Sequence, residues 1–173
     1  MAKFKHLVLM CGVPGSGKST VANNMKMRDT QNRVIIISRD AIRFALVAED
    51  EPYFSREKLV FDVYCKKIQE AIDNINGPEF IICDATHINQ ASRNKVLDQL
   101  KLDNVHTLSV IVVRPSLDET LKRNRKRFGR ERVPDSAIKR MYEQFEDPIE
   151  DKKYTYNTIF REVKDNEQDL ANI

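Results

Sequence analysis

The chain has no tryptophan, only three cysteines in 173 residues, and no apolar run near the roughly 20 residues that a membrane-spanning helix requires. Its cysteines, Cys11, Cys65 and Cys83, show neither the spacing of a metal site nor that of a redox motif. The first apolar stretch is short and belongs to a predicted strand, so we expect no signal peptide. These absences argue against a disulfide scaffold and a membrane protein, and they favour a cytoplasmic location.

A glycine-rich loop is the most specific feature that is present. Residues Gly12–Thr20, GVPGSGKST, fit the phosphate-binding pattern G-x-x-x-x-G-K-[ST] at every fixed position, between a predicted strand and a predicted helix. Glycine permits backbone conformations in which successive N–H groups point at phosphate oxygens, and the helix N-terminus adds partial positive charge. Lys18 is then expected at the β- and γ-phosphates of ATP, and the Ser19 hydroxyl on Mg²⁺. The predicted ATP-binding residues of this loop are Gly12, Pro14, Gly15, Ser16, Gly17, Lys18, Ser19 and Thr20.

Apolar runs alternate with amphipathic stretches along the chain, which predicts alternating strands and helices. Nearly continuous apolar runs are typical of parallel strands that are covered on both faces. The pattern therefore predicts an α/β, three-layer P-loop NTPase fold with a mostly parallel sheet of about five strands. We predict one domain over residues 1–173, with a helical lid at about 122–134 and a polar tail at about 164–173. The predicted strands are 6–11, 33–38, 79–85, 106–113 and 156–163, and the predicted helices are 17–28, 40–48, 55–75, 90–100, 116–127 and 135–145.

Asp84 ends the third apolar run, at the position where P-loop proteins place a carboxylate for Mg²⁺. Ligands bind beyond the carboxyl ends of the strands in open α/β sheets, so this edge is the expected site. A helix cap or an ordinary loop aspartate is the simpler alternative for Asp84. The next residue is Ala85, where many ATP-hydrolysing machines have a glutamate, and this disfavours such a machine.

Asp40 follows the second predicted strand, and Arg43 lies three residues further on the same helical face. A carboxylate near the γ-phosphate can orient a substrate hydroxyl and accept its proton. Arg43 can then grip a phosphate of the substrate through its forked donors. A capping aspartate with an i,i+3 ion pair fits the same spacing equally well.

Seven basic residues and one acid lie between Lys122 and Arg132, whereas the net charge of the whole chain is only +3. Such a run is often a solvated helix face, but beside a nucleotide site it predicts a lid over ATP. Helical spacing puts Arg123 and Arg127 on one face, where guanidinium groups can stabilise the transferring phosphoryl group. Arg123 and Arg127 are therefore predicted to bind ATP, and Arg127 to act in catalysis with Lys18 and Asp40.

Other polar and aromatic residues near the predicted site have weaker signals. Thr86 and His87 follow Asp84, although a lone histidine beside a loop is more often structural than functional. Tyr53, Phe54 and Phe61 can line an acceptor site, although aromatics at helical spacing more often belong to the core.

These features together resemble the 5′-hydroxyl polynucleotide kinase domain of phage and bacterial end-repair enzymes, within the wider family of small P-loop kinases. The resemblance covers about residues 6–145 and rests on Gly12–Thr20, Arg39-Asp40-x-x-Arg43, Asp84, and Lys122-Arg123-Asn124-x-Lys126-Arg127. It implies that Asp40 is the general base and that Arg43 contacts the phosphate of the acceptor. It also implies that Arg123 and Arg127 hold ATP, and that Ser19 and Asp84 organise Mg²⁺.

Two departures from that family qualify the expectation. The stretch Asp84–His87, DATH, replaces the family's D-T-N form, and we expect Thr86 and His87 to take the place of its acceptor contacts. The phosphatase motif D-x-D-x-T of the bifunctional enzymes is missing, so the resemblance implies a free-standing kinase.

The sequence thus predicts an ATP-dependent phosphotransferase that moves the γ-phosphate to a hydroxyl, with the 5′-OH of a nucleic acid end as the acceptor implied by resemblance. A small molecule or an aminoacyl-tRNA on the same fold is one alternative, because fold does not fix substrate. A nucleotide-binding switch or ATPase subunit is another, disfavoured by the missing N-K-x-D motif. A basic groove that leads past Arg43 would favour a polymer as the acceptor. A closed pocket lined by Tyr53, Phe54 and Phe61 would favour a small molecule as the acceptor.

Overall fold

The computed structural model describes residues 3–162. The strands of that part of the chain form one sheet in the order β2-β3-β1-β4-β5, and every neighbouring pair is parallel. This confirms the predicted α/β fold with a parallel sheet of five strands. The last predicted strand extends to residue 163, which lies outside the described residues. The strands are β1 (His6–Cys11), β2 (Val34–Ser38), β3 (Phe80–Asp84), β4 (Thr107–Val113) and β5 (Thr158–Glu162).

Six α-helices connect and flank these strands over residues 3–162, close to the positions that the periodicity predicts. Two short 3₁₀ helices, Gly129–Glu131 and Pro148–Glu150, were not predicted. The polar tail at 164–173 lies outside the described residues, and the single domain stays a prediction. Over the described residues, no helix combines the length and the apolar character needed to cross a bilayer. The helices are α1 (Lys18–Arg28), α2 (Arg39–Leu46), α3 (Glu57–Asp73), α4 (Gln90–Leu97), α5 (Leu117–Arg125) and α6 (Asp135–Glu143).

The sheet is covered on both faces, which explains the continuous apolar runs. Alternate residues of β1 enter different clusters, because successive side chains of a strand point to opposite faces. Leu7 and Leu9 pack with residues of α3 and α4, whereas Val8 and Met10 pack with Val21 of α1. Strand β1 therefore has apolar side chains on both of its faces, not at every second position.

The parallel register aligns the carboxyl ends of the central strands at one edge of the sheet. Ser38 at the end of β2 pairs with Asp84 at the end of β3, and Cys11 ends β1 between β3 and β4. The phosphate-binding loop follows directly after β1, and its Gly12 N–H donates to the carbonyl oxygen of Thr86 at 2.9 Å. The predicted site residues after three different strands consequently meet at the same edge.

A buried ion pair connects α4 to the segment that follows α6. Arg93 of α4 is fully buried, and its Nε and Nη2 donate to the two carboxylate oxygens of Asp151 at 2.7 and 2.6 Å. Arg93 also donates to the carbonyl oxygens of His87 and Glu146. The hydroxyl of Tyr156 donates to the same carboxylate, so the buried charges on both sides are fully hydrogen-bonded.

Candidate active site

The phosphate-binding loop takes the conformation that its glycines make possible. Gly15 and Gly17 have φ values of 84° and 94°, in the left-handed region that residues with side chains rarely adopt. A Cβ atom at Gly15 would lie 2.8 Å from the carbonyl oxygen of Thr120, and one at Gly17 would lie 3.2 Å from Nη1 of Arg123. The loop therefore lies directly against α5, the helix that leads into the predicted lid.

Two buried oxygen atoms in and beside this loop have no hydrogen-bond partner. They are Oγ of Ser16 and Oδ1 of Asp84, whereas Oδ2 of Asp84 accepts a hydrogen bond from the Ser19 hydroxyl at 2.8 Å. A buried polar atom without a partner costs free energy, so such atoms point to a bound group that would satisfy them. Lys18 begins α1 in the same loop, and its side chain is buried.

These donors fit the chemistry of Mg²⁺ bound together with a nucleotide. Mg²⁺ takes oxygen ligands and usually combines one or two carboxylates with phosphate oxygens and water. Ser19 and Asp84 supply a hydroxyl and a carboxylate side by side. Among residues 3–162, no cluster of three or more histidine, cysteine, aspartate or glutamate side chains could hold a metal alone. The structure thus brings together the two residues predicted for the metal.

Asp40 lies in the first turn of α2 with its carboxylate directed to solvent. Ser38 is the N-cap of this helix and accepts from the backbone N–H of Ala41, so Asp40 is not the cap that the alternative required. The Asp40 side chain is 55% exposed. Its Oδ1 accepts from Nη1 of Arg43 at 2.5 Å and from the hydroxyl of Tyr53 at 3.4 Å. Burial, with the charge of Asp40, raises the pKa of Tyr53, which keeps that hydroxyl protonated.

Arg43 differs from the predicted phosphate clamp. Its side chain is only 6% exposed, and all three of its guanidinium nitrogens already donate to protein oxygens. Nε and Nη2 bind both oxygens of Glu57 at 2.9 to 3.1 Å, and Nη1 binds Asp40. Arg39 donates to the same Glu57 carboxylate. Arg43 therefore orients Asp40 in this structure, and its predicted contact with the acceptor phosphate does not fit this placement.

Glu57 is a site residue that the sequence analysis missed. It lies 14 positions after Arg43, beyond a loop whose length does not reveal which side chains will meet. An acidic residue in the first turn of a helix is ordinary, since it complements the helix dipole. The available signal was the pair Arg39 and Arg43, because two arginines on one short helix need a carboxylate partner where the fold buries them.

The predicted lid residues are placed in two different ways. Arg123 already contacts the phosphate-binding loop, since its Nη1 donates to the carbonyl oxygen of Ser16 at 3.1 Å. Arg127 donates to the carbonyl oxygen of Glu131 within the connector. The lid segment is helical only to Arg125 and then forms the 3₁₀ helix Gly129–Glu131. The prediction of a helical lid is thus only partly met.

Asn124 holds the base of the lid segment, a role that the sequence analysis did not assign. Its side chain is fully buried and makes two hydrogen bonds to the backbone of Val133, one to the carbonyl oxygen at 2.6 Å and one from the N–H at 3.1 Å. Further along, Arg130 donates to the carbonyl oxygen of Val47 at 2.7 Å, at the end of α2. The lid segment therefore reaches across the site to the helix that carries Asp40.

His87 has a structural position, which corrects its predicted role in acceptor binding. The ring is buried, and Nδ1 lies 2.8 Å from the carbonyl oxygen of Met10, so Nδ1 carries the proton. Nε2 lies 3.4 Å from the hydroxyl of Tyr64. Burial lowers the pKa of His87 to about 4 from its ordinary value of 6.5. Thr86 is partly exposed, and its carbonyl oxygen holds the phosphate-binding loop.

The three aromatic residues considered for the acceptor do not form one pocket. Phe61 is a residue of α3 that is buried in the core, under the side chains of Arg39 and Lys95. Tyr53 is half-buried beside Asp40, and Phe54 is 65% exposed. The closed aromatic pocket that would favour a small-molecule acceptor is therefore not built from these three side chains.

Comparison with known proteins agrees with the fold and the phosphate-binding loop. Residues 7–148 match the family AAA_33, described as an AAA domain. The chain is 29% identical over 144 residues to L-seryl-tRNA(Sec) kinase of Methanococcus maripaludis, a match that covers 82% of this chain and 53% of the relative. The chain thus spans about half the length of this curated relative.

Two solved structures share the backbone arrangement at low sequence identity. A chain of the Pnkp1/Rnl/Hen1 RNA repair complex is similar with a TM-score of 0.66 and 22% identity, over 83% of this chain and 45% of that one. A gluconokinase from Sinorhizobium meliloti 1021 is similar with a TM-score of 0.55 and 18% identity, over 92% and 82% of the two chains. At these identities the similarity shows the α/β fold alone.

Proposed function

We propose that this chain, which belongs to the AAA_33 family of AAA domains, transfers the γ-phosphate of ATP to the 5′-OH of a polynucleotide. The observation that carries the proposal is the exposed carboxylate of Asp40, at the same sheet edge as the phosphate-binding loop and oriented by Arg43. A carboxylate in that position is what hydroxyl phosphorylation requires and what simple nucleotide binding does not.

The phosphate-binding loop would hold the donor. Backbone N–H groups between Gly12 and Ser19 bind the phosphates, with Lys18 at the β- and γ-phosphates. Ser16 and Asp84 offer the partnerless oxygen atoms described above, and Ser19 and Asp84 would hold Mg²⁺. When bound, Mg²⁺ neutralises charge that develops on the phosphate oxygens. Thr20, in the first turn of α1, would also bind the phosphates of ATP.

Asp40 would act as the general base. Its carboxylate accepts the proton of the acceptor hydroxyl while that oxygen attacks the γ-phosphorus and the bond to the β-phosphate oxygen of ADP breaks. The hydrogen bonds from Arg43 and Tyr53 use only Oδ1, which leaves Oδ2 for the hydroxyl. Glu57 is a positioning residue in this scheme, because it holds the guanidinium that orients Asp40.

The lid arginines would stabilise the transferring phosphoryl group. Arg123 lies at the loop already, through the carbonyl oxygen of Ser16. Arg127 follows four residues later in the basic segment, just beyond the end of α5, and we assign it to the γ-phosphate in the closed state. Three buried free cysteines in the described chain agree with a reducing, cytoplasmic location, which is part of the proposal.

The relative named L-seryl-tRNA(Sec) kinase favours a second candidate acceptor, the hydroxyl of a serine carried on tRNA. The chemistry at Asp40 would be the same, because both acceptors are primary alcohols. A nucleotide-dependent switch is less well supported, since it gives no function to the exposed carboxylate of Asp40.

Acceptor-dependent transfer of radiolabelled γ-phosphate tests the proposal. Wild-type protein, Mg²⁺ and labelled ATP are combined with DNA or RNA oligonucleotides that carry a 5′-OH, with the same oligonucleotides carrying a 5′-phosphate, and with seryl-tRNA. Label on the 5′-OH oligonucleotides alone supports the proposal. Label on seryl-tRNA alone would replace the acceptor, and ATP hydrolysis at full rate without any acceptor would overturn the transferase assignment.

A further inference from the structure

Three aromatic rings form a continuous row beside Asp40. The rings of Phe44 and Tyr53 meet edge to face with centroids 6.2 Å apart, and those of Tyr53 and Phe54 do so at 4.8 Å. We call Phe44, Tyr53 and Phe54 the aromatic row. Its inner member, Tyr53, is the residue whose hydroxyl donates to Oδ1 of Asp40 at 3.4 Å.

Guanidinium groups lie over the rings of this row. Arg43 lies 4.9 Å from the ring centroid of Tyr53 and 5.4 Å from that of Phe54. Arg130 of the lid segment lies 5.0 Å from the ring centroid of Phe44. Such contacts are favourable because the face of an aromatic ring is electronegative. They also fix the direction of the row relative to Asp40 and to the lid segment.

Phe54 is the exposed end of the row. Phe54 is 65% exposed, although the Arg43 guanidinium lies over one face of its ring and the Tyr53 ring meets it almost at a right angle. A large apolar ring held in solvent by these contacts offers a flat surface to a ligand. A small polar acceptor is instead recognised in a concave pocket with convergent polar groups. The exposed ring therefore suits a planar, apolar ligand face.

We propose that Phe54 is a stacking platform for an unpaired nucleobase near the 5′ end of the acceptor. Proteins that bind single-stranded nucleic acid combine aromatic rings for the bases with arginine and lysine for the phosphates. The row supplies the ring, and the basic lid segment between Lys122 and Arg132 supplies charge near the opposite end of the row. This inference rests on the proposed transfer to a 5′-OH end and assigns the specificity of that site to one side chain.

Steady-state transfer with an intact oligonucleotide and with one lacking its 5′-terminal bases tests the inference. Stacking of one base on an aromatic ring corresponds to roughly a 5- to 100-fold change in affinity. We expect Phe54→Leu to raise KM for the intact oligonucleotide by about that factor, with little change in kcat or in KM for ATP. With the wild type, we expect KM for the oligonucleotide that lacks its 5′-terminal bases (the abasic oligonucleotide) to be higher than KM for the intact one. With Phe54→Leu, we expect the two oligonucleotides to have the same KM.

Phe4→Leu is the matched control, since Phe4 is 66% exposed and precedes β1 at the opposite edge of the sheet. It should change none of these constants, and Phe54→Trp should retain the wild-type KM. Equal ratios of abasic to intact KM in the wild type and in Phe54→Leu would overturn the inference while leaving the proposed function intact.

Equilibrium binding of a fluorescent 5′-OH oligonucleotide in the presence of a non-hydrolysable ATP analogue separates the two proposals. Binding that weakens in Phe54→Leu, without phosphate transfer by the wild type, would support the platform and contradict the phosphotransfer. Neither binding nor transfer with any oligonucleotide would overturn both.

Discussion

Arg43 donates from Nη1 to Oδ1 of Asp40 across 2.5 Å, and the same guanidinium is held on its other side by Glu57. The buried guanidinium of Arg43 therefore links the carboxylate of Glu57 to the more exposed carboxylate of Asp40. Only Asp40 has an oxygen free of these contacts and directed to solvent.

Replacement of Glu57 by glutamine should reduce turnover more than ATP binding. Arg43 would lose one of its two charged partners, and the position of the Asp40 carboxylate would relax. A displacement of about 1 Å in a catalytic group can cost roughly 100-fold in rate, so we expect kcat to fall by about 10- to 100-fold. KM for ATP should change little, because Glu57 does not contact the phosphate-binding loop in the described structure. Glu70→Gln on the same helix is the control, since its partner Lys66 is exposed. Equal kcat for Glu57→Gln and wild type would contradict the positioning role.

Removal of the hydroxyl at Ser19 should weaken the response to Mg²⁺. Ser19→Ala removes one proposed ligand and also the hydrogen bond to Asp84. We expect the Mg²⁺ concentration for half-maximal transfer to rise by about 10- to 100-fold, in line with other losses around metal sites. Mg²⁺ titrations at saturating ATP measure this shift. The Thr120 hydroxyl donates to the carbonyl oxygen of Ser116 at the start of α5, and Thr120→Val should leave the titration unchanged.

His87 should make the protein sensitive to acid. Its folded pKa of about 4 lies below the ordinary 6.5, so the unfolded chain binds a proton over this range and the folded chain does not. The free energy of unfolding should therefore fall as pH decreases from about 6.5 to about 4, by about 3 kcal/mol in total. Urea denaturation at pH values from 7.5 to about 4.5 measures the loss.

The same series with His87→Gln isolates the contribution of the histidine from that of the carboxylates. We expect a smaller fall with pH for His87→Gln, although its stability at pH 7.5 should be lower because the bond to Met10 is altered. Parallel curves for the two proteins would contradict a neutral, buried imidazole.

The ion pair between Arg93 and Asp151 should be important for stability. Arg93→Met would leave the carboxylate of Asp151 buried without its cation, and breaking a buried pair costs about 3–5 kcal/mol. Chemical denaturation should show this loss in the free energy of unfolding. The exposed pair of Arg161 and Asp147 is the comparison, since Arg161→Met should cost about 1 kcal/mol or less. If Arg93→Met and Arg161→Met lowered the free energy of unfolding equally, the buried pair would not be the more important of the two.

The sequence predicted the parts of this protein that depend on local pattern. Strands β1 to β4 are largely apolar runs, whereas β5 contains Arg161 and Glu162. The loop between β1 and α1 has glycine where φ is positive, at Gly15 and Gly17. Asp40 and Asp84 were placed correctly at one sheet edge because parallel strands end together. These inferences need no knowledge of which distant side chains meet.

The remaining features depend on contacts between distant residues. Glu57 meets Arg43 only because the loop after α2 returns α3 to its side. Arg93 and Asp151 are 58 residues apart. His87 was placed wrongly because its polarity suggested the site, whereas its φ of 40° directs the ring under β1 to the carbonyl oxygen of Met10. The spacing predicted the i,i+3 ion pair between Arg43 and Asp40. It did not predict that Glu57 accepts hydrogen bonds from the other two guanidinium nitrogens of Arg43.

The most direct test of the account is the rate of phosphate transfer with Asp40→Asn, measured in a single turnover with saturating ATP and a 5′-OH oligonucleotide. Asparagine keeps the shape of the side chain but cannot accept the proton, so we expect the rate to fall by about 100- to 10,000-fold. The affinity for ATP should stay at the wild-type value, and Asp62→Asn on the exposed face of α3 should retain full activity. A transfer rate for Asp40→Asn within about threefold of wild type would contradict the assignment of Asp40 as the base.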